Sequence, residues 1–294
     1  MTTLTTKIQY HPFETGEFTD ERGRTLSDTI DLIRQFPWND QRANSTVGLT
    51  GPSVTIEGKH GDYLRLSPYY HGKYVLHYFD AGKRLFLKSF HQLSEADPYL
   101  ERFFAAPSFD PGDFRKENTW PRRLLPHFIS RDFHYRVTPA VAWKYLWSTC
   151  GLILGLWLFM IFSFLNVGRD HYEWGILMVL APYLFLVGTH LRLFWNYYRY
   201  AKDKLLIMSK GNEVFYFGTR DNPVRYHKSD IARATFCRIK HGKSSLAAFS
   251  LVELYLKDGT EFSLPNILIP DFELSAKLEG IARVTVHGYP LLRH

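Results

Sequence analysis

The stretch from Tyr145 to Trp195 constrains this chain more than any other. Between Lys144 and Arg169 no charged side chain occurs across 24 consecutive positions, and a helix crosses a hydrocarbon core with about 20 apolar residues. A second uncharged run extends from Trp174 to Leu191 and reaches Trp195 if Arg192 snorkels toward headgroups. Helices buried in an ordinary core seldom stay uncharged on every face for so long. The expectation is a two-helix transmembrane hairpin, about 145–166 and 174–195, with a buried helical hairpin as the competing explanation.

The flanking charges set an orientation. Arg131, Arg136 and Lys144 precede the first span, and Arg192, Arg199, Lys202, Lys204 and Lys210 lie at or beyond the end of the second, whereas the connecting loop has only Arg169, offset by Asp170 and Glu173. The positive-inside rule then keeps both termini cytoplasmic. Lys144, Arg192, Trp174 and Trp195 are read as membrane-boundary residues. Net charge is about +2 over residues 1–144 and +5 over 196–294. A basic C-terminal part is expected beside anionic lipid and does not by itself imply nucleic acid. The first residues, MTTLTTKIQYHPFETGEF, have no basic-then-apolar leader, so no cleavable export signal is expected.

Residues 1–112 read as a cytoplasmic α+β domain. An extended piece, Lys7–Tyr10, precedes a turn at Asp20, Glu21 and Gly23. TLSDTIDLIRQF then offers Thr25 or Ser27 as N-cap and places Leu26, Ile30, Ile33 and Phe36 on one helical stripe. Four alternating runs follow, SVTIEG, DYLRLSPYY, KYVLHYFD and RLFLKSFH, and predict an antiparallel meander. LSEADPYLERFFAA, capped at Ser94, predicts a closing helix. Residues 113–144 carry interleaved prolines, aromatics and cations, and are read as a juxtamembrane segment in which Arg122 and Arg123 meet anionic lipid.

Beyond residue 196 the pattern becomes short strands: KLLIMS, EVFYFG, VRYH, ARATFCRI, SLVELYLK and EFSLP, with a Gly211-Asn212 turn and an Asp258-Gly259 hairpin signal. PDFELSAKLEGIARV, apolar at Phe272, Leu274, Leu278 and Ile281, predicts one terminal helix. The run KLLIMSKGNEVFYFG, the step from Tyr226 through Lys228-Ser229-Asp230-Ile231, and the late DGT hairpin resemble the membrane-tethered bacterial PH-like domains over about residues 202–283. The resemblance implies a C-terminal PH-like β-barrel that serves as a scaffold or recognition module without a shared chemistry, and a bacterial inner-membrane location. It extends to no part of residues 1–112.

Motifs for chemistry are lacking. There is no HExxH, P-loop, GxGxxG after a strand or GxSxG, and Cys150 and Cys237 cannot make a zinc site or disulfide framework, so no cofactor and no metal is expected. HGKSS at 241–245 lacks the upstream glycine of a phosphate loop. The histidines scatter, and His190 near a helix end reads as an interfacial polar residue. Arg238, Lys240, His241 and Lys243 cluster at the tip of a predicted hairpin, and Arg238, Lys240 and Lys243 are the lipid- or anion-binding residues expected there. Gly151, Gly155, Ser163, Ala181 and Gly188 would let the two helices pack closely on each other and on a second copy.

These observations favour a non-enzymatic inner-membrane protein presenting two cytoplasmic domains to a protein or lipid partner. The alternatives are an immunity protein that neutralises a cognate toxin at the membrane, and a membrane enzyme using groups such as His77 and His60.

Overall fold

A computed structural model describes residues 2–43, 47–105, 109–118, 121–166, 173–239 and 245–292. The chain divides into two units, residues 1–132 with 209–212, and residues 133–208 with 213–294.

The first unit is built on one antiparallel sheet. Its strands are β1 (Leu4–Gln9), β2 (Thr19–Arg24), β3 (Ser53–Glu57), β4 (Tyr63–Pro68), β5 (Tyr74–Phe79), β6 (Leu85–Phe90) and β7 (Arg115–Glu117), in the order β2-β1-β3-β4-β5-β6-β7. The expected meander is β3 to β6, each strand pairing with the next. The expected turn at Asp20–Gly23 is instead part of the edge strand β2.

Helices α1 (Leu26–Gln35), α2 (Trp38–Ala43) and α3 (Asp97–Ala105) belong to the same unit. α1 starts on a capping box: the Thr25 hydroxyl accepts from the Asp28 backbone N–H, and the Asp28 carboxylate accepts from the Thr25 backbone N–H. The short 3-10 turn before α3 is capped by Gln92 with Glu95, in place of the expected Ser94. Period-2 alternation sends Ile8, Val54, Ile56, Leu64, Leu66, Leu76 and Tyr78 to one face, where they pack with Ile33, Phe36, Leu100, Phe103 and Phe104 of the helical layer. Burying each such side chain contributes about 1.5–3 kcal/mol.

The opposite face is polar and nevertheless covered. α4 (Pro121–Leu124) and the turn after it supply Leu124 and Phe128 to a second cluster with Tyr63, Phe79 and Leu85. Phe128 is stacked on Phe79 with ring centroids 4.8 Å apart. The segment 209–212 completes the unit: the Lys210 and Gly211 backbone N–H groups donate to the Glu14 and Glu17 carboxylates at 3.0 Å. Any Cβ at Gly211 would collide with the Phe13 ring.

The second unit has two sheets. One contains β8 (His134–Arg136), β9 (Lys204–Ile207), β10 (Val214–Thr219) and β11 (Asn222–His227), in the order β11-β10-β9-β8. The other contains β12 (Ile231–Arg238), β13 (Ser250–Leu256), β14 (Glu261–Pro265) and β15 (Arg283–His287), in the order β14-β13-β12-β15. Two long helices, α5 (Pro139–Asn166) and α6 (Glu173–Ala201), connect the paired neighbours β8 and β9. α7 (Asp271–Lys277) follows β14. The expected long terminal helix stops early because Gly280 adopts φ +85°, and the chain then runs as β15 parallel to β12.

Among the described residues, no helix is long and apolar enough to cross a membrane. That finding overturns the transmembrane hairpin, the membrane-protein class and the inner-membrane placement with both termini cytoplasmic. The physical reason lies in how the apolar runs are used. Leu193 and Tyr197 of α6 and Ala142 of α5 are buried in one core with Phe249 and with Phe215, Phe236, Leu251, Leu254 and Leu264 of the sheets, and the fully buried His190 ring lies against Phe249. Part of what reads as lipid-facing sequence is therefore the helical wall of a β-rich core. A Cβ at Gly155 or Gly188 would meet no atom of the described residues within 4 Å; Ser163 and Ala181 have side chains outside the described set.

Candidate functional site

In the second unit, the roots of α5 and α6 are fixed by an aromatic cluster around Phe249. The rings of Tyr145, His190 and Tyr197 lie 5.8, 5.9 and 5.8 Å from it, all near edge-to-face. The Tyr145 hydroxyl donates to Asn266 Oδ1 at 2.6 Å, and the Asn266 amide donates to the Ala248 carbonyl at 2.7 Å. The Tyr197 hydroxyl donates to the Pro290 carbonyl at 2.7 Å, and burial pushes its pKa up. Asn196 accepts from the Leu292 N–H at 3.1 Å and donates to the Leu292 carbonyl at 3.4 Å. His190 is thus a core ring, not the interfacial polar residue expected from sequence.

Beyond these roots the same helices expose large apolar side chains: Trp143, Trp147, Leu156, Leu158, Phe159, Phe162, Phe185, Leu191 and Trp195. Trp143 and Trp147, one turn apart, stack at 6.5 Å with an interplanar angle of 20°. A groove of about 720 Å³ runs along α6, lined by Phe185, Gly188, Thr189 and Arg192 with Tyr289 and Leu291. The Thr189 hydroxyl is spent on the Phe185 carbonyl at 2.7 Å, and Arg192 is the only charged residue among the described residues that line the groove. Exposed apolar surface, where it is extensive, commonly accompanies interaction sites.

The residues singled out in the sequence are dispersed over the fold. Arg238 closes β12, and its guanidinium is held by Asp271 at 2.9 Å and lies over Phe236. Lys240, His241 and Lys243 lie outside the described residues, as does most of HGKSS. Arg123 is exposed on α4 of the first unit; the Arg122 side chain, like that of Trp174 on α6, is outside the described set. Lys144 and Arg192 are both exposed, and Trp195 is 61% exposed. His60 and His77 do not converge. His60 borders a cavity of about 20 Å³ with Lys59, Asp62 and Phe103, and His77 is not among its lining residues. Among the described residues no group of three His, Cys, Asp or Glu could hold a metal. Cys237 is free, and burial pushes its thiol pKa up, away from the reactive thiolate.

Sequence reasoning missed the buried polar layer of the first unit. Lys7, Thr55, Arg65 and His77 form one row across β1, β3, β4 and β5. The signal was their shared parity in four alternating strands.

Two four-stranded sheets share one core, with a short helix after β14. Residues 134–277 match the family model of the PH domain. That segment is PH-like, which suggests a protein- or lipid-binding role; such domains are typically non-enzymatic. The match begins at β8 and so takes in α5 and α6. A comparison with curated proteins gives no match.

Proposed function

We propose that this chain is a non-enzymatic binding protein whose PH-like unit takes up lipid on the exposed apolar side chains of α5 and α6. The observation that carries this reading is the set of exposed apolar side chains at Trp143, Trp147, Leu156, Leu158, Phe159 and Phe162 on α5 and at Phe185, Leu191 and Trp195 on α6. Lys144, Arg192 and Arg199 stand exposed on the same helices and suit anionic headgroups. Two further sets of cations, Arg238, Lys240 and Lys243 in one unit and Arg122 and Arg123 in the other, are proposed to add phosphate contacts. Arg238 contributes least, because Asp271 already neutralises it.

Co-sedimentation of the full chain with phosphatidylcholine vesicles, with and without phosphatidylserine, tests the proposal. Binding to both is expected, tighter with phosphatidylserine, and charge reversal at Lys240 and Lys243 should remove part of that difference. A chain left in the supernatant with both vesicle types overturns lipid as the partner and favours a protein, a toxin included.

A further inference from the structure

The polar face of the first unit's sheet contains a closed layer for which lipid binding by the other unit has no use. Lys7, Thr55, Arg65 and His77 stand in register, and Ser53 and Ser67 adjoin the paired Val54 and Leu66 on the same two central strands. None of the six is more than 8% exposed. The Arg65 guanidinium is fully buried with no carboxylate paired to it among the described residues: Nη1 donates to the His127 carbonyl at 2.7 Å, and Nη2 donates to Gln9 Oε1 at 2.7 Å and the Gly51 carbonyl at 3.1 Å.

Five buried polar atoms of this layer have no hydrogen-bond partner among the described residues. They are Arg65 Nε, the hydroxyl oxygens of Ser53, Thr55 and Ser67, and His77 Nδ1. Buried polar groups are normally paired, and buried charges are normally matched by an opposite charge. Glu21 does not fill that role for Arg65: it lies 4.0 Å from the Lys7 ammonium and accepts from Ser130, which in turn accepts from Lys7. His77 is neutral at ordinary pH, since burial and the Arg65 charge hold its pKa down at about 3. Burial lowers the Arg65 pKa only to about 9, so its charge persists.

Carbonyl oxygens satisfy N–H groups but leave that charge unmatched, and trapped water would do the same. Neighbouring strands lie about 4.8 Å apart, close enough for groups on β3 and β4 to face one ion. We infer that this layer binds a single small anion, inorganic or carboxylate, held by Arg65 Nε with hydroxyls of Ser53, Thr55 and Ser67 as further donors.

The test uses the full chain exchanged into a buffer whose only anion is a bulky sulfonate. Thermal midpoints are measured against chloride, phosphate and acetate at constant ionic strength. A saturable rise with at least one of them is expected, and its identity separates an inorganic ligand from a carboxylate. Because Arg65→Met also removes three hydrogen bonds that hold the layer together, the informative variant is Thr55→Val with Ser67→Ala, which keeps shape and removes two donors. It should fold and lose at least tenfold in apparent affinity. Midpoints indifferent to all three anions overturn the site and leave buried water in the layer. An unchanged titration in the double variant overturns it as well.

Discussion

Lowering the pH should loosen the first unit through one side chain, His77. In the folded chain burial, and then the Arg65 charge, move its pKa from the ordinary 6.5 to about 3. Between those values the unfolded chain binds a proton that the folded chain refuses, so stability is complete above about pH 6.5 and falls as the pH drops. Each pH unit in that window costs about 1.4 kcal/mol, which amounts to roughly 2.7 kcal/mol at pH 4.5. His77→Leu removes the titrating group and a buried unpaired nitrogen together, so it should be nearly neutral at pH 7. Amide exchange in β3, β4 and β5, corrected for intrinsic rates at pH 7.0 and 4.5, reads the opening free energy of this sheet alone. The wild type should lose about 2–3 kcal/mol more than the variant; carboxylates titrating in the same range act on both proteins and cancel. Equal losses in the two would refute the argument that His77 is held neutral by burial.

Two substitutions test other parts of the fold. Thr25→Ala removes the α1 cap and should cost about 1 kcal/mol, seen as faster exchange in Leu26–Gln35 with little change in the second unit. Phe249→Ala deletes a fully buried ring touched by Tyr145, His190 and Tyr197. It should cost about 3–5 kcal/mol in urea unfolding of the second unit, and a loss below about 1 kcal/mol would mean that the helix roots are not fixed there.

The legible parts of the sequence were those where local pattern and tertiary role agree. β3 and β4 alternate and β5 and β6 follow as β-rich runs separated by turns, and Asp258-Gly259 makes its hairpin with Gly259 at φ +87°. Where one pattern serves two roles, reading failed. The expected span 174–195 satisfies a lipid-facing template, yet His190 and Leu193 within it are buried against a β-rich core, and no single-segment periodicity distinguishes the two. β2, TDERGR, has no apolar residue to alternate, because a charged edge strand needs pairing and not burial. β15 is exposed along its length and exists through its parallel ladder with β12, a contact invisible in local sequence. Arg65, Ser67 and His77 look like a solvent face, and residues 124–128, more than forty positions downstream, help to make that face an interior together with Leu49 and Gly51. The basic tip was legible as charge alone; that Asp271 occupies Arg238 depends on where α7 begins.

The connection between β8 and β9 carries a consequence for the order of assembly. These strands are adjacent in the sheet, yet everything from residue 137 to 203 intervenes. Closing so long a loop in place of a tight turn costs about 2–3 kcal/mol of chain entropy if the loop is still flexible. That cost falls once α5 and α6 have formed from local contacts and Tyr145 has stacked on Phe194, because the two ends are then delivered together. The first strand of this barrel is therefore expected to be the last laid down, with the helical pair acting as its jig.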